Sequence, residues 1–119
     1  MTIVVRSAEP DDAASIARVQ VATWRSAYKG IFPDELLDGL NDIRLAMGWS
    51  ESIERKGFVT FVAERDDVEK ERVVGFIHAG PSDVRWLAEV YTLYVNQDHQ
   101  RRGIGRDLLA ALTGALRGS

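Results

Sequence analysis

The sequence has 119 residues, 45% of them hydrophobic, which allows at most one domain with a hydrophobic core. Its net charge of −3 argues against nucleic acid as the main partner, because nucleic-acid-binding domains usually present a basic face. The sequence contains no cysteine, which excludes disulfides, thiolate metal sites and a covalent cysteine acyl-enzyme.

Neither a metal site nor a membrane partner is expected. The two histidines, His78 and His99, do not pair at metal-ligand spacing. The start of the sequence lacks a basic-then-apolar signal, and no apolar run is long enough to span a bilayer. Because we recognise no targeting signal in the sequence, we expect a cytoplasmic protein.

The beginning of the chain predicts a strand and a long helix. Residues 2–6 read as the strand. Pro10 and the two aspartates after it favour a helix start, because proline tolerates the first turn and carboxylates suit the positive end of the helix dipole. Apolar residues then recur at helical spacing from Ala13 to Tyr28, and Gly30 ends the helix.

A second helical region and a hairpin follow. Pro33-Asp34-Glu35 opens the helical region, which restarts at Asn41 or Asp42. Residues 58–63 and 72–79 predict two strands joined by a charged, solvated turn. The first part of the helical region turns three leucines inward: Leu36, Leu37 and Leu40.

The last part of the chain predicts a strand over residues 87–95 and a helix over residues 103–116. The complete order of elements is therefore β-α-α-β-β-β-α. This order predicts an α+β fold in which helices pack on a mostly antiparallel sheet.

The junction between this last strand and helix carries the most specific pattern. Gln100-Arg101-Arg102-Gly103-Ile104-Gly105-Arg106 has two glycines one residue apart, which lets successive backbone amides converge on one point. The helix N-terminus behind them adds partial positive charge, so the pattern indicates an anion cradle suited to phosphate. Glycines before a helix are also ordinary turn residues, and the spacing alone leaves both interpretations open. Neither a P-loop nor a Rossmann glycine motif is present.

The string from Gln100 to Gly105 resembles the acetyl-CoA motif of the GNAT N-acetyltransferase superfamily, Gln/Arg-x-x-Gly-x-Gly/Ala between a strand and a helix. The resemblance covers residues 89–112, from the strand through the loop into an aliphatic helix. Upstream, four residues look like the connection between the first two helices of one GNAT branch: Trp24, Tyr28, Gly30 and Pro33.

The resemblance implies that acetyl-CoA is the cosubstrate and that the glycine loop binds its pyrophosphate. Arg101 and Arg106 are then side-chain contacts to phosphate, or else solvated charges at a helix end. In the family, the strand before the loop pairs through its backbone with the pantetheine arm, and the corresponding positions are Leu93, Tyr94 and Val95. The implied phosphate donors are the amides of Arg102, Gly103, Ile104 and Gly105.

Glu89 is the candidate general base, because an ammonium acceptor must lose a proton before it attacks the thioester. Side-chain alternation predicts that Glu89 shares a strand face with Tyr91, Leu93 and Val95. The other interpretation is an exposed or salt-bridged glutamate at a strand end. His78 is a weaker candidate for the base, since a single histidine in a strand is more often structural.

Trp24 and Tyr28 are the candidate residues for acceptor binding, because the end of the first helix borders the acceptor groove in GNAT relatives. Core packing is the commoner role of such aromatics. The sequence does not identify the acceptor, since enzymes of the same fold acetylate antibiotics, polyamines, amino acids and protein N-termini.

A complete GNAT domain continues with a further strand, another helix and closing strands. The resemblance therefore implies that residues 1–119 form a single, C-terminally truncated N-acetyltransferase domain. The later helix usually supplies a tyrosine that protonates the CoA thiolate, a role for which Tyr91 and Tyr94 lie on the wrong element. An uncovered apolar strand edge favours self-association, so a homo-oligomer is expected. Three explanations of this expected truncation stay open. The chain is a fragment of a longer protein, the missing part comes from another protomer or subunit, or the protein is naturally shortened.

Three functional hypotheses follow. The first is an N-acetyltransferase that passes the acetyl group of acetyl-CoA to a primary amine, on a small molecule or a peptide, by direct attack. The alternative is a non-catalytic acyl-CoA-binding or oligomerisation module derived from such an enzyme. The third is a regulatory domain that binds another phosphorylated ligand.

Overall fold

The computed structural model describes residues 2–33, 35, 42–81 and 88–117. Within these residues, four strands form one antiparallel sheet in the order β1-β2-β3-β4, accompanied by three α-helices. In chain order the elements are β1 (Ile3–Ser7), α1 (Ala13–Tyr28), α2 (Asp42–Glu54), β2 (Val59–Arg65), β3 (Val73–Pro81), β4 (Ala88–Val95) and α3 (Ile104–Arg117).

The predicted α+β class and the order β-α-α-β-β-β-α are confirmed. The restart of the second helical region at Asp42 matches the first residue of α2. The predicted opening of that region, with Leu36, Leu37 and Leu40, lies outside the described residues.

Both faces of the sheet are covered, because alternate residues of the central strands point to opposite sides. On one face, Val62 and Phe76 pack with Ile16 of α1 and Trp49 of α2. On the other face, Ala63, Ile77 and neighbouring side chains pack with the apolar stripe of α3. That stripe consists of Ile104, Leu108 and Leu112, all of which are buried.

A paired arginine and aspartate join β1 to the start of α1. The Arg6 guanidinium donates two hydrogen bonds to Asp12, at 2.8 and 2.9 Å, and also bonds to Glu64 of β2. The Glu9 amide donates to the same Asp12 carboxylate at 2.8 Å, which caps the short 3₁₀ turn Pro10–Asp12. The hydrogen bonds from Arg6 hold the pKa of Asp12 below its ordinary value.

We predict that Asp12→Asn lowers the free energy of unfolding by about 1–3 kcal/mol at pH 7, because it removes charge-assisted hydrogen bonds. The pKa of Asp12 is lower in the folded state, so its stabilising effect is present above the unfolded pKa and disappears as the pH falls through the folded one. Urea unfolding across pH 2–7 measures this, and the difference between variant and wild type should therefore close at acidic pH, below about 4.

Asp11→Asn is the matched control, since Asp11 is an exposed neighbour in the same turn. A difference between Asp12→Asn and wild type that stays constant down to the acid limit would contradict the assignment.

Candidate functional site

Two hydrogen bonds tie the first part of the loop after β4 to the sheet. The Asn96 amide donates to the Val74 carbonyl at 2.8 Å, directly after the last residue of β4. The chain then makes a 3₁₀ turn over Gln97–His99. The Gln100 side chain donates back to the Val95 carbonyl at 3.0 Å, so this predicted loop residue shapes the backbone of the loop.

The backbone of the loop has the alternating conformation that gathers amides. Arg101 has φ of 67° and Gly103 has φ of 82°, both in the left-handed region. Glycine adopts this region readily, whereas the same conformation at Arg101 costs about 1–2 kcal/mol. Left-handed residues in such a series form a concave nest of N–H groups, which is the geometry of many phosphate sites.

α3 begins directly behind this nest. Its first hydrogen bond runs from the Asp107 amide to the Gly103 carbonyl at 3.0 Å. The preceding amides of Ile104, Gly105 and Arg106 are therefore the N-terminal donors of the helix, which have no intrahelical acceptor. The nest and the helix N-terminus together bring backbone hydrogen-bond donors and partial positive charge to one place.

The arginines of the motif add full charges to the same region. A Cβ on Gly103 would lie 3.1 Å from Nη2 of Arg106, so this guanidinium folds back against the glycine. Arg101, Arg102 and Arg106 are all exposed. The structure thus brings together the predicted loop residues, Gln100 to Arg106, around one electropositive backbone concavity.

β4 leads into this loop and lies at an edge of the described sheet. It pairs with β3 on one side, and Val90, Tyr91 and Leu93 are each about two-fifths exposed (44%, 42% and 39%). Peptide groups along such an edge are available to pair with an extended ligand. The predicted positions Leu93, Tyr94 and Val95 lie in the last part of this strand.

A β-bulge interrupts the pairing of β4 with β3. Val90 pairs with Ala79 and Thr92 with His78, so Tyr91 is an extra residue in β4. The extra residue reverses the side-chain alternation at this point.

The bulge changes where Glu89 points. Glu89 lies opposite Gly80, whereas Leu93 lies opposite Ile77, three positions along β3 and hence on the other face of the sheet. The prediction that Glu89 shares a face with Leu93 and Val95 is therefore wrong. Glu89 instead shares the face covered by α1 and α2, and it is exposed there.

Trp24 is tied to β4. Its indole N–H donates to the hydroxyl of Tyr94 at 2.9 Å. The Tyr94 ring in turn packs edge-on against Phe76, with centroids 5.5 Å apart. Trp24 therefore fixes the second half of α1 against the strand that precedes the loop.

Tyr28 and its neighbours lie nearer the solvent. The Tyr28 ring packs on Phe32 just beyond the end of α1, with centroids 5.0 Å apart, and is 39% exposed. A cavity of about 190 Å³ lies between α1 and the loop. It is lined by Thr23, Ser26, Ala27, Gln97 and Gln100.

His78 is a buried member of an aromatic cluster that the sequence did not predict. Its Nδ1 is 2.9 Å from the Thr60 hydroxyl, and burial lowers the pKa of its imidazole. The ring stacks on Phe58 at 5.5 Å, meets the edge of Trp49 at 5.0 Å and lies 5.9 Å from Tyr91. No sequence motif links these residues, which come from separate elements.

Within the part of the chain that the structure describes, no cluster of three or more histidine or carboxylate side chains is arranged to hold a metal ion. None of the helices in this part of the chain combines the length and the apolar character needed to cross a membrane.

Comparisons with known proteins agree on one family. The model of the acetyltransferase (GNAT) family matches residues 20–119. The uncharacterized N-acetyltransferase YuaI of Bacillus subtilis (strain 168) is 37% identical over 111 residues, and the probable N-acetyltransferase Rv2775 of Mycobacterium tuberculosis is 29% identical over 110. These alignments cover 91% and 90% of this chain and 61% of each relative. The chain thus spans about three-fifths of the length of these curated relatives.

Solved structures agree on the fold. The crystal structure of the PaiA N-acetyltransferase from Thermoplasma acidophilum, in complex with coenzyme A, matches with a TM-score of 0.80 and 20% identity. The match covers 99% of this chain and 74% of that one.

We predict that Trp24 and Tyr94 are energetically coupled. Trp24→Phe and Tyr94→Phe should each lower the free energy of unfolding by about 0.5–1.5 kcal/mol, because each removes the same hydrogen bond. The double variant should cost less than the sum of the two single variants. Urea unfolding of the four proteins measures the coupling.

The control cycle pairs Trp24→Phe with Thr113→Ala, which removes a hydroxyl hydrogen bond to the Leu109 carbonyl within α3, on the other face of the sheet. This second cycle should be additive. Additivity in the Trp24–Tyr94 cycle as well would contradict the coupling.

Proposed function

Since the chain belongs to the acetyltransferase (GNAT) family, we propose that it carries the donor-binding part of an acetyl-CoA-dependent N-acetyltransferase. The proposed reaction transfers the acetyl group to a primary amine by direct attack. The single observation that best supports this is the concavity around Gly103, where left-handed backbone, a helix N-terminus and the folded-back Arg106 meet.

The pyrophosphate of acetyl-CoA is the ligand group that suits this concavity. Backbone amides and a helix N-terminus stabilise phosphate oxygens, and guanidinium groups bind them through charge-assisted hydrogen bonds. We assign the donor role to the amides of Arg102, Gly103, Ile104 and Gly105, with Arg101 and Arg106 as side-chain contacts.

The edge of β4 suits the pantetheine arm. A ligand that starts at the loop and pairs with the backbone of Leu93, Tyr94 and Val95 runs toward the start of the strand. Tyr91 lies four positions before Val95, which is about 13 Å of extended strand. The thioester then lies near the bulge, where β4 no longer follows the regular ladder.

Glu89 is the proposed general base at that end of the strand. The acceptor nitrogen attacks the thioester carbonyl carbon, the carbon–sulfur bond breaks, and CoA leaves as its thiolate. The proton of the amine passes to the Glu89 carboxylate, directly or through a water molecule. The exposed position of Glu89, opposite Gly80 at the start of β4, is compatible with this role.

Other properties of the whole protein stay predictions. Tyr28 remains a candidate for acceptor contact, while Trp24 would act through Tyr94. A cytoplasmic location, a homo-oligomeric state and a single domain over residues 1–119 rest on the sequence.

We predict that acetyl-CoA raises the melting temperature of the chain and that Gly103→Glu abolishes this rise. The substitution places a carboxylate at the phosphate position, on a residue whose φ of 82° disfavours any side chain. Thermal unfolding with and without millimolar acetyl-CoA measures the rise.

Gly114→Glu is the matched control, because Gly114 lies within α3, away from the loop, and a Cβ added there would meet no other atom within 4 Å. This variant should keep the rise. A wild-type protein whose melting temperature ignores millimolar acetyl-CoA would refute the binding proposal, and competition by ATP would favour another phosphorylated ligand.

We further predict that Glu89→Gln lowers the rate of acetyl transfer mainly at low pH, where free amine is scarce and the base matters most. The release of CoA thiol with a panel of primary amines, measured across pH, tests this. Glu69→Gln in the exposed β2–β3 turn is the control and should leave the profile unchanged.

An unchanged pH profile for Glu89→Gln would remove this residue from the mechanism. Binding of acetyl-CoA without any thiol release would favour a non-catalytic acyl-CoA-binding module.

A further inference from the structure

Three aromatic side chains line the sheet face beside the start of β4. We call Phe58, His78 and Tyr91 the aromatic wall. Their ring centroids lie 5.5–6.0 Å apart in every pairing. Tyr91 is 42% exposed and Phe58 is half-buried, so the wall combines a buried back with an open front.

Gly80 makes this arrangement possible. A Cβ at this position would lie 2.5 Å from Cδ1 of Phe58 and 2.9 Å from Cε2 of Tyr91, so both rings occupy the space above the glycine. The bulge provides the second ring, because Tyr91 is its extra residue and turns to the face of His78. The Tyr91 hydroxyl donates to the Pro81 carbonyl, which fixes the ring.

The wall already has a positive charge against it. The guanidinium carbon of Arg55, in the exposed turn after α2, lies 5.4 Å from the centroid of Phe58. This is the distance of a cation–π interaction, in which the negative face of the ring attracts a cation. The ring of Phe58 therefore already receives a cation from this chain, and an incoming cation would take the place of Arg55.

A carboxylate lies on the same sheet face as the wall. Glu89 lies opposite Gly80 on the same sheet face and is exposed. His78 adds no positive charge near neutral pH, because burial lowers its pKa. Among the described residues, Arg55 places its guanidinium against the wall, and its position in an exposed turn lets a ligand displace it.

We propose that the aromatic wall binds a positive charge on the acceptor, so that the preferred acceptors are primary amines carrying a second cationic group. This inference rests on the proposed function, because Glu89 receives the reacting amine next to the wall. The second cation then displaces Arg55 from the ring of Phe58 while the reacting nitrogen reaches the thioester.

Two amines that differ only in charge test this proposal. Aminoethyl-trimethylammonium carries a quaternary nitrogen, and its tert-butyl isostere has carbon in the same place. NMR titration of each amine into the free and the CoA-saturated chain gives the dissociation constants. The wild-type chain should bind the cationic amine about two- to thirtyfold more tightly, the range of a cation–π interaction.

Phe58→Leu should reduce this preference, because the ring that now receives the Arg55 guanidinium is lost while Tyr91 and Glu89 remain. Arg55→Gln should tighten binding of the cationic amine by removing its competitor. Phe61→Leu is the matched control, since Phe61 lies in β2 three residues after Phe58 and packs on the opposite face of the sheet. Melting temperatures check that each variant is folded.

Equal affinity of the wild-type chain for the two amines would overturn the proposal, as would an equal loss of both in Phe58→Leu. An Arg55→Gln variant that binds the cation no more tightly would contradict the place assigned to Arg55. If CoA fails to bind but the free chain still prefers the cationic amine, the result contradicts the proposed function. The same result supports cation binding by the aromatic wall.

Discussion

The antiparallel pairing of β4 with β3 is the constraint on which the rest of the site depends. Its regular part, from Leu93 to Val95, continues into the hydrogen bond from Asn96 to Val74, which starts the glycine loop at a defined place. Its irregular part is the bulge at Tyr91, which reorients the beginning of the strand. The glycine loop and the bulge thus lie at opposite ends of β4. The loop end is electropositive, whereas the bulge end carries aromatic side chains and the carboxylate of Glu89.

Packing on the two faces of the sheet holds this strand in place. Trp24 ties α1 to Tyr94 on one face, and Leu108 and Leu112 anchor α3 on the other. The anchored helix keeps its N-terminus behind the loop, where the left-handed backbone of Arg101 is maintained at a local energetic cost. Strain of this kind persists when the surrounding structure determines the backbone, as the contacts of Gln100 and Arg106 do here.

Much of the fold and of the glycine loop is predictable because both depend on short-range patterns. Apolar runs on either side of a charged turn identified β2 and β3, helical spacing identified α1 and α3, and the glycine pair identified the loop to within one residue of the helix start. The bulge was missed because it exists only in the pairing of two strands, and strict alternation assigned Glu89 to the wrong face. The aromatic wall was missed because its residues approach one another only after folding.

The sequence by itself determined which segments become strands and helices and where the backbone is free to form a phosphate cradle. These properties follow from backbone preferences and local periodicity, which act over a few residues. Only the tertiary structure decided the face of Glu89, the partner of Trp24 and the position of Phe58 beside Tyr91. The physical reason is that cross-strand register and side-chain packing join residues far apart in the chain, and a single inserted residue reverses every side chain beyond it.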